Sequence, residues 1–393
     1  MGVKKTIDVL VGTRPEAIKM APVVRELQNY DWAEVRVVVT GQHSTLLDGA
    51  LESLGVREHE NLRVMTDNQS LEVLTSKIIT RLDDFWKDNK PDMVLGQGDT
   101  TTVFAGALVS FYQRIPFGHV EAGLRSNNIY SPFPEEMNRL LTTRLAAVHF
   151  APTSRAVQAL LSEGVAEDTI YLTGNTVIDT LKATIDGLKK EGTGATARRQ
   201  ILLTTHRREN FGGAMADLLR TIRGVVETRD DIELIFPVHP NPAVRKAAAQ
   251  ALGNHPRVNI IEPLDYPQFV RAMQDCYLIV TDSGGVQEEA PFIRRPVIVI
   301  RNETERPEAL EYGVARLVRT DPVLLRSTLI ELLDNASAYW TMTRGASPYG
   351  DGRAAQRIAA VVGNRLRVES EVDIPAMFDP DLSIEDPTFV MSS

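Results

Sequence analysis

One cysteine, seven histidines and no long apolar run set the first limits on this chain of 393 residues. With Cys276 alone, an internal disulfide is excluded, and so is any zinc or iron–sulfur site built from several thiolates. No apolar stretch approaches the ~20 residues that a membrane-spanning helix requires, and no signal-peptide pattern opens the chain. Basic charge is also short: 43 Lys and Arg stand against 52 Asp and Glu, a formal net charge of −9. That sign argues against nucleic acid or an anionic membrane as partner, although a local basic pocket for an anion is compatible with it. The expected location is the cytoplasm. His43, His119, His206 and His239 are too scattered to specify a metal site, and none is assigned. The "HVE" at 119–121 has the H-x-E of zinc deaminases, but those need a further pair of cysteines.

What is present is ordinary globular composition, 43% hydrophobic and 24% charged. The length exceeds what one core supports, so two domains are expected. Short apolar runs alternate with helical segments: "TIDVLVG", "EVRVVVTG", "DMVLGQG", "IPFGHVEAG", "AVHFAPT" and "TIYLTGN". After a polar, glycine-bearing stretch the alternation restarts with "ILLTTH", "IELIFPVH", "RVNIIEPL", "LIVTDSGG" and "PVIVIR". Strands that are apolar throughout and separated by helices indicate parallel sheets covered on both faces. Two such series predict an α/β fold of two doubly wound Rossmann-like domains, 1–174 and 175–351, with a cleft between them. An acidic tail, 369–393, has no clear period and is expected to be loosely ordered or packed across a surface.

Ligands of such folds bind beyond the carboxyl ends of the strands. Those ends here read "GTRPE", "TGQH", "GQGDTT", "GHVEAG", "TTHRREN", "PVHPNP", "TDSGGVQEE" and "RNETERPE". "TDSGGVQEE" leaves a strand and opens a helix, whose amides and dipole favour an anion. Arg14, Arg207, Arg208, His239 and Arg306 add positive charge from both halves, which suits a diphosphate. Glu288 and Glu289 either complement the helix dipole or accept hydrogen bonds from ribose hydroxyls. Asp99 is either a helix cap or a functional carboxylate. Glu121 ends a core strand, with Arg125 as the expected partner for its buried charge. Glu135 and Glu136 fall in the first turn of the next helix, behind Pro132 and Pro134.

Ten motifs in order, from "GTRPEAIKMAP" through "GDTTT", "HVEAGLR", "YSPFPEEMNR", "GNTVIDT", "HRREN", "PVHPNP", "TDSGGVQEEAP" and "TERPEAL" to "PYGDGRA", closely resemble the non-hydrolysing UDP-N-acetylglucosamine 2-epimerases. The resemblance runs from about Val9 to Arg357. It implies a GT-B fold, a homodimer, and a terminal helix at about 352–366 that returns to the first domain. It implies interconversion of UDP-N-acetylglucosamine and UDP-N-acetylmannosamine by elimination of UDP to 2-acetamidoglucal and re-addition, with no cofactor.

Carried over by position, Asp99, Glu121, Glu135 and His206 are the acid–base set. The carboxylates would share proton transfer at sugar carbon 2, with proximity raising at least one pKa. Arg14, Lys19, Phe269, Ser283, Gly284, Gly285, Glu289 and Arg306 are the UDP-holding set. Relatives bind a second substrate molecule as activator through a "QHR" stretch. Here the text is "GQHSTLL", and Gln42, His43, Glu136, Arg207 and His239 are the compatible effector or diphosphate contacts. Rival readings are a 2-epimerase of another UDP-2-acetamido sugar, a GT-B glycosyltransferase, and a sensor that binds nucleotide sugar without turnover.

Overall fold

Aliphatic and β-branched runs form the strands of a first sheet: Lys5–Val11 (β1), Ala33–Val39 (β2), Glu60–Asn61 (β3), Met93–Gln97 (β4), Phe117–Val120 (β5), Val148–Ala151 (β6) and Ile170–Leu172 (β7). A second sheet comprises Arg199–Thr204 (β8), Ile232–Pro237 (β9), Val258–Ile261 (β10), Leu278–Thr281 (β11), Val297–Val299 (β12) and Ala315–Leu317 (β13). The structure, a computed structural model, describes residues 4–41, 49, 51–66, 69–188, 198–205, 213–238, 241–345, 347–368 and 372–380. The chain divides into two compact units, Met1–Thr180 with Tyr349–Phe378, and Leu181–Pro348 with Asp379–Ser393.

All pairings are parallel, in the order β3-β2-β1-β4-β5-β6-β7 and β10-β9-β8-β11-β12-β13. This is the doubly wound α/β class that the alternating runs predict, present twice. Winding reverses between β1 and β4 in one sheet and between β8 and β11 in the other. Two strands, β3 and β13, have no counterpart among the apolar runs. At two and three residues, "EN" and "ARL" are too short and too polar to register as a pattern.

The strand ends of β1 and β4 are each followed by a capped helix. Thr13 caps Arg14–Gln28 (α1), with Pro15 in its first turn, where a missing N–H costs nothing. Between α1 and the next helix to matter lies Leu71–Asp88 (α2), capped by Ser70. Thr100 caps Thr101–Tyr112 (α3). This last helix lies directly on β1: a Cβ added at Gly106 would stand 2.2 Å from Leu10 Cδ1, so glycine permits the approach. The core between sheet and helices includes Leu10, Ile78, Trp86 and Phe117 in the first unit. Leu218, Phe236, Ile298 and Leu329 belong to that of the second. No helix among the described residues is long and apolar enough to cross a membrane.

The chain returns to the first unit at its end. Ala354–Arg365, the C-terminal helix, packs on α1. Its opening amides, Ala354 N and Ala355 N, donate to the Asp179 carboxylate at 3.2 and 2.8 Å. Residues 372–378 carry no helix or strand and cross the same unit. Asn364 exchanges two 2.8 Å hydrogen bonds with Val372, Arg357 Nε donates to Ala376 O at 2.6 Å, and Phe378 is buried.

The first unit also buries a charge far from any strand end. Asp8 in β1 accepts from Arg36 Nε at 2.6 Å, Arg36 Nη2 at 2.9 Å and Trp86 Nε1 at 2.7 Å. Removing Asp8 leaves the buried Arg36 without a counter-ion, with only the Asn89 carbonyl at 2.6 Å still accepting from it, and breaking a buried pair typically costs about 3–5 kcal/mol. Asp8→Ala should therefore lower unfolding free energy by that amount in denaturant titration. A loss under about 1 kcal/mol would show that Arg36 finds water instead.

Candidate active site

The ends of β1, β4 and β5 carry a connected set of buried polar groups. Thr13 and Arg14 leave β1, and Glu16, one turn into α1, is only 2% exposed. Its Oε2 accepts from Gly12 N at 3.0 Å and its Oε1 from the Thr100 hydroxyl at 2.7 Å. Desolvation by burial pushes this carboxyl up to about 7, and nearby Asp99 adds to the rise. Lys19, a turn further along α1, is buried and pairs with Glu121 at 2.5 Å.

Glu121 follows β5 with φ 62°, a left-handed conformation that non-glycine residues seldom adopt. Its Oε2 also accepts from Asn175 Nδ2 at 3.1 Å. The next turn cannot take a larger residue at Gly123, where a Cβ would meet Ala156 O at 2.4 Å. The local backbone is thus held from both sides.

Asp99 follows β4 and Gly98, and it pairs with Arg139 at 2.5 Å. Its carbonyl accepts from Asn138 Nδ2 at 2.8 Å. Arg139 and Asn138 lie on Glu135–Leu145 (α4), whose first residue is Glu135. Arg139 is buried and also pairs with Glu136 at 2.8 Å. Glu136 is buried in turn and accepts from Ser126 N and Asn127 N at 3.0 Å each, which fixes the loop before the helix. Under this layer, fully buried His119 donates from Nε2 to Gly98 O at 2.8 Å. A carbonyl only accepts, so Nε2 carries the proton. Burial drives this imidazole down to about 3, and it is neutral at any working pH.

In the second unit, Ser283 caps Gly284–Phe292 (α5) directly after β11. The turn is braced by Thr205 Oγ1 on Asp282 at 2.8 Å and by Ser283 N on Thr281 Oγ1 at 2.9 Å. Arg306 lies over the helix start, with Cζ 3.3 Å from where a Gly284 Cβ would be. It pairs with Glu288 at 2.7 Å and Glu305 at 2.8 Å. Glu289 accepts from the Tyr266 hydroxyl at 2.6 Å. Burial raises that phenol well above its ordinary range, and the Glu289 charge reinforces the effect. Phe269 is half-buried one turn beyond Tyr266.

Several expectations change. Arg125 does not serve Glu121; it makes a bidentate pair with Glu163 at 2.6 and 2.9 Å and donates to Thr143. Lys19 takes the place beside Glu121, because the β5 end faces α1 rather than the loop that carries Arg125. Asp99 is not the helix cap either. Thr100 fills that role, which leaves the Asp99 carboxylate to Arg139. Lys19 and Arg306, assigned to UDP, are both engaged with carboxylates, whereas half-buried Arg14 has no ion-pair partner among the described residues. Gln42, His43, His206, Arg207, Arg208 and His239 lie outside the described residues. Glu16, Arg139, Asn175 and Tyr266 were not singled out, although each sits within a quoted motif or beside Phe269.

Comparison with known proteins gives one consistent answer. The family model described as UDP-N-acetylglucosamine 2-epimerase matches residues 25–363. The UDP-N-acetylglucosamine 2-epimerase of Bacillus subtilis is 46% identical over 357 residues, 90% of this chain and 94% of that one. The UDP co-structure of MnaA from S. aureus superimposes with a TM-score of 0.88 at 43% identity, covering 95% of this chain and all of the other. The UDP-GlcNAc 2-epimerase of Neisseria meningitidis bound to UDP-GlcNAc gives 0.87 at 40% identity, covering 92% and 100%.

The elevated Glu16 carboxyl has a measurable consequence. Its folded pKa of about 7 lies above the ordinary 4.5. Its contribution to stability is therefore full below the lower value and lost as pH rises through the upper one. Between about pH 5 and pH 8 the wild type should lose up to about 3 kcal/mol relative to Glu16→Gln. Parallel denaturant titrations at the two pH values measure the difference, in which every other titrating group cancels. An unchanged difference would mean that Glu16 is hydrated.

Proposed function

Since the chain belongs to the UDP-N-acetylglucosamine 2-epimerase family, we propose that it interconverts UDP-N-acetylglucosamine and UDP-N-acetylmannosamine by releasing and re-adding UDP. It is an isomerase of GT-B fold. The proton on sugar carbon 2 is not acidic, because no carbonyl adjoins that carbon in the ring. Loss of UDP supplies the driving force instead. A carboxylate takes the carbon 2 proton as the bond from carbon 1 to the diphosphate oxygen breaks. Its electron pair leaves with UDP, and a double bond forms between carbons 1 and 2. In the return direction a proton reaches the other face of carbon 2, and the diphosphate oxygen rejoins carbon 1.

One observation carries this reading: the carboxylates at adjacent strand ends, Glu121 and Asp99, are each held by a buried cation, Lys19 and Arg139. A cation at 2.5 Å fixes the orientation of each carboxylate, as a positioned acid–base group requires. Glu135 completes the set from the start of α4. His206 would steady or protonate the departing diphosphate. Arg14 and the N-terminal amides of α5, at Ser283, Gly284 and Gly285, favour its charge. Glu289, aimed by Tyr266, would receive ribose hydroxyls, with Phe269 near the uracil and Arg306 at the helix start. Gln42, His43, Arg207 and His239 would contact an activating second substrate. For Glu136, the amides of residues 126–127 and Arg139 already occupy its oxygens. The family resemblance further supports a cytoplasmic homodimer that supplies polysaccharide assembly and needs no added cofactor.

Incubation in heavy water tests the reaction and the sugar together. UDP-N-acetylglucosamine should gain one deuterium at carbon 2, whereas UDP-linked diacetamido uronic acid and 6-deoxy sugars should not. Glu121→Gln should slow the exchange by at least ~100-fold, as expected for loss of an acid–base group. Epimerised product without deuterium, or an unimpaired Glu121→Gln enzyme, contradicts the proposal.

A further inference from the structure

We propose that Glu16 is a positioning residue for the reaction: its carboxylate ties the turn after β1 to the turn after β4 and so fixes Asp99, the neighbour of Thr100. The inference rests on reading Asp99 as part of the proton-transfer set. One carboxylate oxygen takes the Gly12 amide at 3.0 Å and the other the Thr100 hydroxyl at 2.7 Å. The Thr100 contact crosses from the end of β1 to the end of β4, where the sheet reverses its winding, whereas the Gly12 contact stays within the turn after β1.

Capping accounts for only part of this carboxylate's bonding. Thr13 accepts from the Glu16 amide and Glu16 reaches back to the Gly12 amide, much as in a capping box, but the bond from Thr100 lies outside that pattern. Thr100 Oγ1 caps α3 by accepting from Val103 N at 3.3 Å. What Glu16 adds is an acceptor for the Thr100 proton. A hydroxyl that donates to Glu16 and accepts from Val103 has one side-chain orientation, and the Asp99–Thr100 peptide is held with it.

The other restraints on Asp99 come from elsewhere. Asn138 holds its carbonyl at 2.8 Å, Arg139 its carboxylate at 2.5 Å, and His119 the carbonyl of the preceding Gly98 at 2.8 Å. These come from α4 and β5. Glu16 supplies the link to β1, whose following turn carries Arg14. The acid at carbon 2 and the cation proposed for the diphosphate are thereby set on one rigid frame. Proton removal and diphosphate departure require that spacing to be constant, because a displacement of about 1 Å can cost about 100-fold in rate. Glu16 need not touch substrate to matter.

The test compares Glu16→Ala, Thr100→Val, their double variant, Thr100→Ser and Asp99→Asn with wild type. It measures kcat and KM for UDP-N-acetylglucosamine, carbon 2 deuterium exchange, and UDP affinity by calorimetry. Glu16→Ala and Thr100→Val should each lower kcat and exchange by about 10–100-fold. KM and UDP affinity should stay within about threefold, since binding is uncoupled from placement of the acid. The double variant should fall no further than the worse single one, as for two halves of one interaction. Thr100→Ser, which keeps the hydroxyl, should regain most of the rate. Should Glu16→Ala fail to fold, Thr100→Val read against Thr100→Ser decides the matter. Wild-type kcat in folded Glu16→Ala or Thr100→Val, or a loss confined to KM or UDP affinity, overturns the positioning role. Full activity in Asp99→Asn overturns instead the reading of Asp99 on which it rests.

Discussion

The reversal of winding between β1 and β4 is the constraint on which the first unit's polar edge depends. Chains that turn to opposite sides of a parallel sheet leave the two strand ends adjacent with no connection passing over them. Into that space come Gly12, Glu16 and Lys19 from one turn and Asp99 and Thr100 from the other. The end of β5, next in the sheet, brings Glu121 to Lys19. Without the reversal both connections would pass to the same face, and the crevice between these two strand ends would not open. Within "HVEAGLRSNNIYSPFPEEMNR", Glu121 has a cation in Lys19, and Glu136 has Arg139 and two amides.

Those pairings solve an electrostatic problem. A buried carboxylate without a partner would take up a proton or unfold its surroundings. Asp99 and Glu136 share Arg139, and Glu121 has Lys19 and Asn175. Glu16 differs: hydrogen bonds but no ion-pair partner among the described residues reach it, and burial raises its pKa. Two classes of acid thus stand within one site, distinguished by whether a positive charge is close. Proton transfer at a carbon that is barely acidic draws on the first class, and rigidity on the second.

Much of this was legible in the residues alone. Apolar runs of four to seven residues marked the longer strands, and polar tetrapeptides at their ends marked where chemistry would sit. The ordered motifs led to the family that the comparisons show. Pairings were less legible. Arg125 stands four residues from Glu121 and looked like its partner, yet a distance along the chain says little once β5 ends in a left-handed residue that redirects the next turn. Lys19 lies 102 positions from Glu121, and only the register of the sheet brings them together. Glu16 was hidden for a related reason: an acid in the first helical turn suits the helix dipole, so nothing local marks it as the bridge to Thr100. The short strands β3 and β13 carried too few residues to show a period.

The central claim is that the carbon 2 proton leaves only as the diphosphate departs, so that each turnover passes through free UDP and an unsaturated sugar. The most direct measurement labels the oxygen bridging carbon 1 and the β-phosphorus of UDP-N-acetylglucosamine with oxygen-18 and follows its position during turnover. Departure and return of UDP should move part of that label into the non-bridging positions of the β-phosphate. A label that stays in the bridge while both epimers interconvert would mean that the bond never breaks, and it would contradict this account.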